Sequence, residues 1–386
     1  MRCTRCVAHW KAYYWSPLLT VPLADLVSQY HAIRSEIDAA VHNVFESGQF
    51  ILGSYVEDLE RLVAEVSGAA YAVGVNSGTD ALLLGLAALG IGPGDEVITT
   101  PFTFVATVEA ICHLGARPVF ADIIPRTFNL DPDDARRRIT ARTRAILPVD
   151  LFGQPADRAA YQQLAQEHGL QVLYDSAQAI GARYDGMPLG AFGDALTLSF
   201  FPTKNLGAYG DAGMVLTNRE DVRDRVRMLR FHGSDGGYEY DHVGYCSRLD
   251  ALQAAILQVK LGHLEAWTET RRAHAAAYAE CLRDTECVLP SSDPRVYHVY
   301  HQFTIRHPRR DALRAYLNER GIRTGVYYPS PLHLQKAYRH LGYVPGDFPE
   351  AERACREVAS LPVHPEMTEE QQQYVCRTIV ELHNRS

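Results

Sequence analysis

Apolar residues follow two spacings along the middle of the chain, from residue 55 to about residue 259. One stripe has helical spacing and consists of Val56, Leu59, Leu62, Val63 and Val66. Short apolar runs bounded by polar, glycine or proline residues are typical of buried strands. Four such runs are Val97-Ile98-Thr99, Pro118-Val119-Phe120, Ala145-Ile146-Leu147 and Val172-Leu173-Tyr174. This alternation predicts an α/β fold with a mostly parallel central sheet flanked by helices.

The segments on either side of this region predict an arm and a smaller domain. Residues 30–47 have helical spacing, and residues 249–280 are typical of long helices that bridge two domains. After Pro290 the pattern restarts, with strands predicted at 299–305 and 322–327, a helix at 311–320, and helices from Glu350 and Thr368. We therefore divide the chain into an N-terminal extension (1–20), a large domain with an N-terminal arm (21–262), and a bridging helix with a small α/β C-terminal domain (263–386).

The amino-acid composition is that of a globular protein, and the charge and hydrophobicity patterns argue against nucleic-acid and membrane partners. Of its 386 residues, 47% are hydrophobic and 22% charged, and the net charge is −8. No run rich in lysine and arginine occurs, so we expect no nucleic-acid binding. The longest apolar stretch, residues 81–91, is too short to span a bilayer, and no secretion signal is recognised. We expect a cytoplasmic protein with no membrane partner.

Eight cysteines are scattered along the sequence, and they suggest neither a disulfide framework nor a metal site. They are Cys3, Cys6, Cys112, Cys246, Cys281, Cys287, Cys355 and Cys376. Only Cys3 and Cys6 form a CxxC pair, and no second pair completes a zinc site. In a reducing cytosol we expect free thiols and no metal.

Lys204 is the strongest candidate for covalent chemistry. The apolar run 195–201 predicts a buried strand, Pro202 ends it, and a glycine-rich loop carries Lys204. Ligands gather where the strands of an open α/β sheet end. A lysine in a partly dry site has a lowered pKa and can form a Schiff base. The alternative is an ordinary loop lysine, and Lys204 alone does not decide between the two.

Two other segments favour the chemical interpretation. Asp175 follows an apolar strand, where a carboxylate can keep a pyridine nitrogen protonated and make its ring an electron sink. In residues 75–82 a strand and a Ser-Gly turn lead into an apolar helix, whose N-terminal N–H groups suit a phosphate. The alternatives are a helix-capping aspartate and a plain helix start. Together, the three segments meet the needs of pyridoxal 5'-phosphate (PLP).

Seven sequence stretches resemble the sugar aminotransferases of the DegT/DnrJ/EryC1/StrS family, which have PLP fold type I. They are SGTDAL (77–82), PFTFVAT (101–107), FGQPAD (152–157), DSAQAIGA (175–182), SFFPTKNLGAYGDAG (199–213), SRLDALQAAIL (247–257) and YYPSPLHLQKAY (327–338). They occur in the family order, and the resemblance covers roughly residues 21–384. It implies an active site between the two domains and between two subunits of a homodimer.

The resemblance assigns roles to individual residues of this chain. Lys204 would carry PLP as a Schiff base and move protons, and Asp175 would bind the ring nitrogen. Gln178 would lie near the 3'-oxygen, and Phe104 would stack on the cofactor. The phosphate would be held by Gly78, Thr79 and Ser199, and the substrate contacts would include Tyr328 and His333.

This chain departs from the family pattern in places. Cys246 stands where an asparagine usually reaches the PLP phosphate of the partner subunit. Tyr327-Tyr328-Pro329 replaces the usual His-Tyr-Pro, which puts one substrate contact in doubt. Tyr174 replaces a common acidic residue, Ile180 a common histidine, and Asp150 a frequent histidine. None of these changes removes Lys204 or Asp175.

The resemblance implies transfer of an amino group from L-glutamate to a keto sugar carried on a nucleotide diphosphate (dTDP). Gln178 resembles the members that aminate C-3 of 3-keto-6-deoxy sugars, and also the aminocyclitol members that act on inosose rings. We rank a C-3 sugar first, a C-4 sugar second and a cyclitol third. A PLP-dependent C-3 dehydratase would carry histidine in place of Lys204. A non-catalytic PLP-binding regulator would need a degraded set of these residues.

Overall fold

The computed structural model describes residues 19–291 and 293–384. The predicted N-terminal extension therefore lies outside the described residues, apart from residues 19 and 20. The α-helices of the described part are α1 Leu26–Ala32, α2 Arg34–Ser47, α3 Ser54–Ser67, α4 Gly78–Ala88, α5 Ala106–His113, α6 Pro132–Arg137, α7 Arg158–His168, α8 Glu220–Arg230, α9 Ala251–Leu261, α10 Leu264–Cys281, α11 Arg310–Glu319, α12 Pro349–Glu357 and α13 Glu369–Asn384. Its strands are β1 Tyr71–Val75, β2 Glu96–Thr99, β3 Arg117–Phe120, β4 Thr143–Ile146, β5 Gln171–Asp175, β6 Arg183–Tyr184, β7 Met187–Pro188, β8 Ala195–Ser199, β9 Gly213–Thr217, β10 Val296–Tyr297, β11 Phe303–Arg306 and β12 Val358–Leu361.

A seven-stranded sheet forms the centre of the molecule, in the order β1-β9-β8-β5-β4-β2-β3. The neighbours from β8 to β3 pair in parallel, whereas β9 is antiparallel to both β1 and β8. The strands carry near-continuous apolar runs because helices cover both faces of the sheet. The α/β prediction is confirmed, and the four strands predicted from apolar runs correspond to β2, β3, β4 and β5.

Helix α4 packs on this sheet at unusually short range because of its glycines. A Cβ added at Gly85 would lie 2.6 Å from the Cδ1 of Leu173 on β5. The helix begins after Ser77, whose hydroxyl accepts a hydrogen bond from the N–H of Asp80 at 3.1 Å. The first turn of α4 is thereby fixed against the end of the sheet.

The C-terminal part differs from the sequence prediction in two strands. The strand predicted at 299–305 is displaced to β11, which pairs with β12. No strand forms at 322–327, because this segment pairs only through two isolated bridges, Val21 with Ile322 and Gly325 with Ser360. The helix predicted at 30–47 is also divided, since Ile33 leaves the helical conformation between α1 and α2.

Two cysteines predicted to be free are joined in the structure. Cys281 at the end of α10 and Cys376 in α13 form a disulfide, so the expectation of free thiols is wrong for this pair. Their two helices pack together around the small-domain core, and this brings side chains 95 residues apart into contact. The four other cysteines of the described part are free. None of the helices in that part combines the length and apolar character that crossing a bilayer requires.

Candidate active site

A cavity of about 640 Å³ opens at the carboxyl end of the parallel strands. It is lined by the start of α4, the end of β5, the loop after β8, and two segments from the C-terminal part. The cavity-lining residues include Gly78, Thr79, Phe104, Asp175, Gln178, Ser199, Lys204 and Tyr328. Eight of the ten residues singled out from the sequence therefore come together in one place.

Lys204 projects from a tight loop into this cavity. The loop closes on itself because the N–H of Lys204 donates to the carbonyl of Phe201 at 2.8 Å. Burial lowers the pKa of the Lys204 amine to about 8, although the nearby Asp175 carboxylate opposes that shift. An amine with this pKa is partly neutral near physiological pH, so it can act as a nucleophile and as a base.

A second lysine supports the same loop from behind. The Nζ of Lys260, on α9, donates to the carbonyl of Gly207 at 2.7 Å and lies 4.2 Å from the centre of the Tyr209 ring. Lys260 is fully buried and does not line the cavity. It therefore stabilises the segment that carries Lys204.

Asp175 ends strand β5 and accepts two hydrogen bonds. The hydroxyl of Thr107 donates to its Oδ2 at 2.8 Å, and the N–H of Ala177 donates to its Oδ1 at 3.2 Å. Burial raises the pKa of the carboxyl group, while these hydrogen bonds and Lys204 act in the opposite direction. A buried carboxylate of this kind is stabilised by a cation, and the protonated ring nitrogen of PLP is a fitting one.

The start of α4 and the end of β8 form a cradle that fits a phosphate. A Cβ added at Gly78 would lie 2.6 Å from the Cβ of Ser199, so only glycine permits this approach. The N–H groups of Gly78 and Thr79 are at the helix N-terminus, where the helix dipole favours an anion. The phosphate cradle, Lys204 and Asp175 all line one cavity. PLP needs these three contacts: a site for its phosphate, an amine for its aldehyde and a carboxylate for its ring nitrogen.

Three more predicted residues surround the remaining space. The Gln178 side chain accepts a hydrogen bond from the N–H of Phe152 at 2.6 Å and donates one to the Tyr328 hydroxyl at 3.4 Å. Phe104 is 55% exposed, and its ring centre lies 6.2 Å from that of Tyr328. These residues leave an aromatic surface at the mouth of the cavity, which a flat ring can contact.

Two predicted site residues do not reach the cavity of their own chain. His333 is buried among aromatic rings, and its Nε2 lies 3.2 Å from a carboxylate oxygen of Glu352. The structure thus does not support a direct substrate contact by His333, because its ring is enclosed by Phe120 and Phe348. Cys246 is exposed outside the cavity, and its Sγ lies 3.1 Å from the guanidinium of Arg248.

Several residues of the site were not singled out from the sequence. Thr103 and Thr107 form a hydroxyl pair at 3.0 Å that extends from Asp175, and both lie in the PFTFVAT stretch quoted above. His301 lines the cavity, and its Nδ1 lies 3.2 Å from the Oδ1 of Asn205. Burial, followed by Lys204, holds the pKa of His301 well below its usual value, so the ring is neutral. No local pattern marks His301, which comes from a distant part of the chain.

Comparisons with known proteins identify the family of this chain. A family model described as the DegT/DnrJ/EryC1/StrS aminotransferase family matches residues 31–380. A pleiotropic regulatory protein of Geobacillus stearothermophilus is 51% identical over 95% of this chain and 99% of its own. A dTDP-3-amino-3,4,6-trideoxy-alpha-D-glucose transaminase of Streptomyces venezuelae is 44% identical over 90% of this chain and 92% of its own.

Solved structures extend the similarity to three dimensions. The crystal structure of DesV from S. venezuelae, in complex with a ketimine intermediate, has a TM-score of 0.93 and 43% identity, and covers 95% of this chain and 99% of its own. Other similar structures were solved with PLP or with pyridoxamine phosphate. This chain belongs to the DegT/DnrJ/EryC1/StrS aminotransferase family, whose members include sugar aminotransferases that use PLP.

Proposed function

We propose that this protein is a PLP-dependent aminotransferase that moves an amino group from L-glutamate onto the keto carbon of a nucleotide-diphosphate 6-deoxyhexose. The observation that carries the proposal is the shared cavity of Lys204 and Asp175. An amine whose pKa is lowered by burial faces a buried carboxylate across one ligand-sized space. A ligand with an aldehyde and a protonated ring nitrogen would complement both groups.

Each residue has a defined task in this reaction. When bound, PLP supplies an electron sink that stabilises the negative charge formed on loss of the substrate proton. Lys204 would hold the cofactor and, as a free amine, would carry the proton. Asp175 would keep the ring nitrogen protonated, and Thr107 donates a hydrogen bond that holds Asp175 in place. The α4 cradle and Ser199 would bind the phosphate, and Gln178 would orient the ring edge.

We favour amination at C-3 of a dTDP sugar, with C-4 amination and an inosose substrate as alternatives. Gln178 supports C-3 by resemblance, and the named reaction of the S. venezuelae relative concerns a 3-amino sugar on dTDP. The neutral His301 ring and Gln302, which also line the cavity, offer hydrogen bonds to sugar hydroxyls.

A homodimer with shared active sites belongs to the same proposal. Large apolar side chains are exposed at the cavity mouth, including Phe104 at 55% and Phe201 at 51%. A partner subunit would cover such a surface. Cys246, exposed on the same chain, would then approach the partner's phosphate cradle.

A regulatory role without catalysis is the second candidate, because the G. stearothermophilus relative is named a regulatory protein. The presence of both Lys204 and Asp175 in one cavity argues for catalysis. A visible absorbance spectrum distinguishes the two candidate functions, because only an aminotransferase converts the PLP absorbance to that of the amino form when glutamate is added.

The decisive experiment is incubation with glutamate and a panel of dTDP- and UDP-linked keto sugars, with mass detection of the aminated product. We expect a dTDP 3-keto sugar to be converted most rapidly, and the Lys204→Ala variant serves as the inactive control. Amination of an inosose alone would move the assignment to the cyclitol class. A spectrum that does not respond to glutamate or to any other amino donor would refute the aminotransferase.

A further inference from the structure

Directly behind Asp175 lies a fully buried ion pair that takes no part in the chemistry described so far. The guanidinium of Arg158 donates to both carboxylate oxygens of Asp150, at 2.8 and 2.6 Å. Both side chains have no exposed surface, and neither lines the cavity. A buried pair of this kind is costly to desolvate and is often no better for stability than apolar residues, so a structural role alone accounts for it poorly.

The segment 148–150 is joined to the end of β5 at three points, two of which involve Asp150. Its backbone N–H donates to the carbonyl of Asp175 at 2.9 Å, and the N–H of Asp175 in turn donates to the carbonyl of Pro148 at 2.9 Å. The hydroxyl of Ser176 donates to the Oδ2 of Asp150 in a short hydrogen bond. The backbone of Asp175 and the side chain of Ser176 are therefore both hydrogen-bonded to the segment that carries the Asp150 carboxylate.

Arg158 is in turn fixed by groups other than Asp150. Its guanidinium carbon lies 3.6 Å from the centre of the Tyr174 ring, the residue before Asp175. The Oδ1 of Asp150 also accepts from the N–H of Ala156 at 2.8 Å, so the carboxylate has donors on both oxygens. Burial alone would lower the pKa of Arg158, but the Asp150 carboxylate raises it, so the guanidinium stays ionised.

We propose that the Asp150–Arg158 pair positions Asp175. The pair fixes the end of β5, and its charges determine how firmly Asp175 holds a proton on the cofactor ring. This inference rests on the proposed function. Asp150 and Arg158 act through Asp175, so they are positioning residues rather than catalytic ones.

The charges around the pair determine the direction in which each charge-removing substitution should shift a titration at the cofactor. Lys204 and Tyr328 face Asp175 from the cavity, and Tyr161 and Tyr174 lie beside the guanidinium. The Asp150 carboxylate contributes negative charge at Asp175. The Arg158 guanidinium, paired with that carboxylate at 2.6 Å, carries the opposite charge. Removing only the Asp150 charge makes the surroundings of Asp175 more positive, whereas removing only the Arg158 charge makes them more negative. The two changes should shift a titration at the cofactor in opposite directions.

The test uses the full chain loaded with PLP and follows the visible absorbance of the Lys204–cofactor Schiff base against pH. We expect the midpoint of Asp150→Asn to fall and that of Arg158→Met to rise, each by roughly half a pH unit or more relative to the unaltered chain. Shifts in the same direction, or unchanged midpoints in both folded variants, would overturn the electrostatic role.

A milder variant tests positioning even where the charge variants do not fold. Ser176→Ala keeps both charges and breaks only the side-chain link from Asp150 to the end of β5. Its matched control is Ser360→Ala, which removes another fully buried hydroxyl, bonded to Thr304 at 2.8 Å in the C-terminal part. We expect the PLP dissociation constant to rise about three- to tenfold for Ser176→Ala, which corresponds to the loss of one hydrogen bond. We expect it to stay unchanged for the control.

Equal PLP binding by the two serine variants would overturn the positioning role. These results are separable from the proposed function. If the protein is not a PLP enzyme, the unaltered chain forms no Schiff base at all. If only the present inference fails, the unaltered chain binds and titrates normally while the variants do not differ from it as expected.

Discussion

The amine of Lys204 is the group whose protonation governs entry into the reaction. With its pKa lowered to about 8, the amine gains a neutral fraction that an exposed lysine lacks. Below pH 8 the protonated form dominates, and it cannot attack an aldehyde. We expect the rate at which apoprotein combines with PLP to rise about tenfold per pH unit up to pH 8 and then to level off. Stopped-flow absorbance from pH 6 to 9.5 measures this, and a pH-independent rate would contradict it.

Replacing the amine separates binding from chemistry. In Lys204→Ala the cradle and Asp175 remain, so we expect PLP to bind reversibly while conversion by glutamate is lost. Lys336 is exposed and lies outside the cavity, so Lys336→Ala is the control substitution, with unchanged conversion expected. Normal conversion of PLP to the amino form in the Lys204 variant would remove the residue from its assigned role.

Asp175→Asn removes the charge that holds the ring nitrogen protonated. A hydrogen bond to a charged partner contributes about 1.5–3 kcal/mol. A rate loss of about 10- to 150-fold corresponds to that energy, and we expect a larger loss because the ring also becomes a poorer electron sink. Single-turnover kinetics with glutamate measures the step directly. Turnover close to that of the unaltered enzyme would show that another group protonates the ring.

At the scale of elements, α5 is joined to β5 by one hydroxyl. Thr107 near the start of α5 donates to Asp175, while Thr103 reaches Asp175 only through Thr107. Thr107→Val removes a donor to a buried carboxylate and so raises the pKa of Asp175. We expect the half-reaction with glutamate to slow by about tenfold or more, an effect of a hydrogen bond to a charged group. Thr103→Val is the matched control and should have a smaller effect, and equal effects would contradict this order.

The disulfide between α10 and α13 should stabilise the protein without affecting catalysis. A cross-link over 95 residues contributes on the order of 2–4 kcal/mol. We expect Cys376→Ser to unfold at lower denaturant concentration, with unchanged kcat in the folded range. Reducing agent should lower the midpoint of the unaltered protein to that of the variant and leave the variant unchanged. If reduction had no effect on the unaltered protein, this contribution would be absent.

The elements also show why sequence reasoning succeeded in some places and failed in others. Strands β2, β3, β4 and β5 were found because short apolar runs covered by helices are visible locally. The segment at 322–327 also contains apolar residues but lacks a continuous partner, so its conformation depends on Val21 and Ser360 from elsewhere. The break at Ile33 is likewise invisible locally, since this buried residue is fixed by packing against distant side chains.

At the scale of the whole molecule, the site combines residues that pattern and resemblance reveal with others that only the fold brings together. Lys204 and Gly78 follow strands and Asp175 ends one, and these strand ends meet at one edge of the sheet. Asp150 is visible in the sequence only as a departure from the family pattern, and neither His301 nor Arg158 was singled out. His333 was expected at the site from the family resemblance of residues 327–338, but its ring packs in an aromatic cluster.

Cys246 tests the proposed dimer. An asparagine amide donates a good hydrogen bond to phosphate, whereas a thiol is a weak donor. We expect Cys246→Asn to tighten PLP binding by about 10- to 150-fold, which corresponds to the 1.5–3 kcal/mol of one hydrogen bond to a charged group, and to raise the unfolding temperature at limiting cofactor. Equilibrium dialysis in one buffer compares the two proteins. Equal or weaker binding by the asparagine variant would mean that position 246 does not contribute to the phosphate site as proposed.

The Cys281–Cys376 bond has a topological consequence. It closes residues 281–376 into a covalent ring that contains β11, α11, α12 and β12, together with Tyr328 at the cavity. A single protease cut anywhere between the two cysteines therefore opens the ring but does not divide the protein, and both fragments migrate as one species until a reductant is added. The part of the chain that supplies Tyr328 thus stays tethered to the rest even after its backbone has been cleaved.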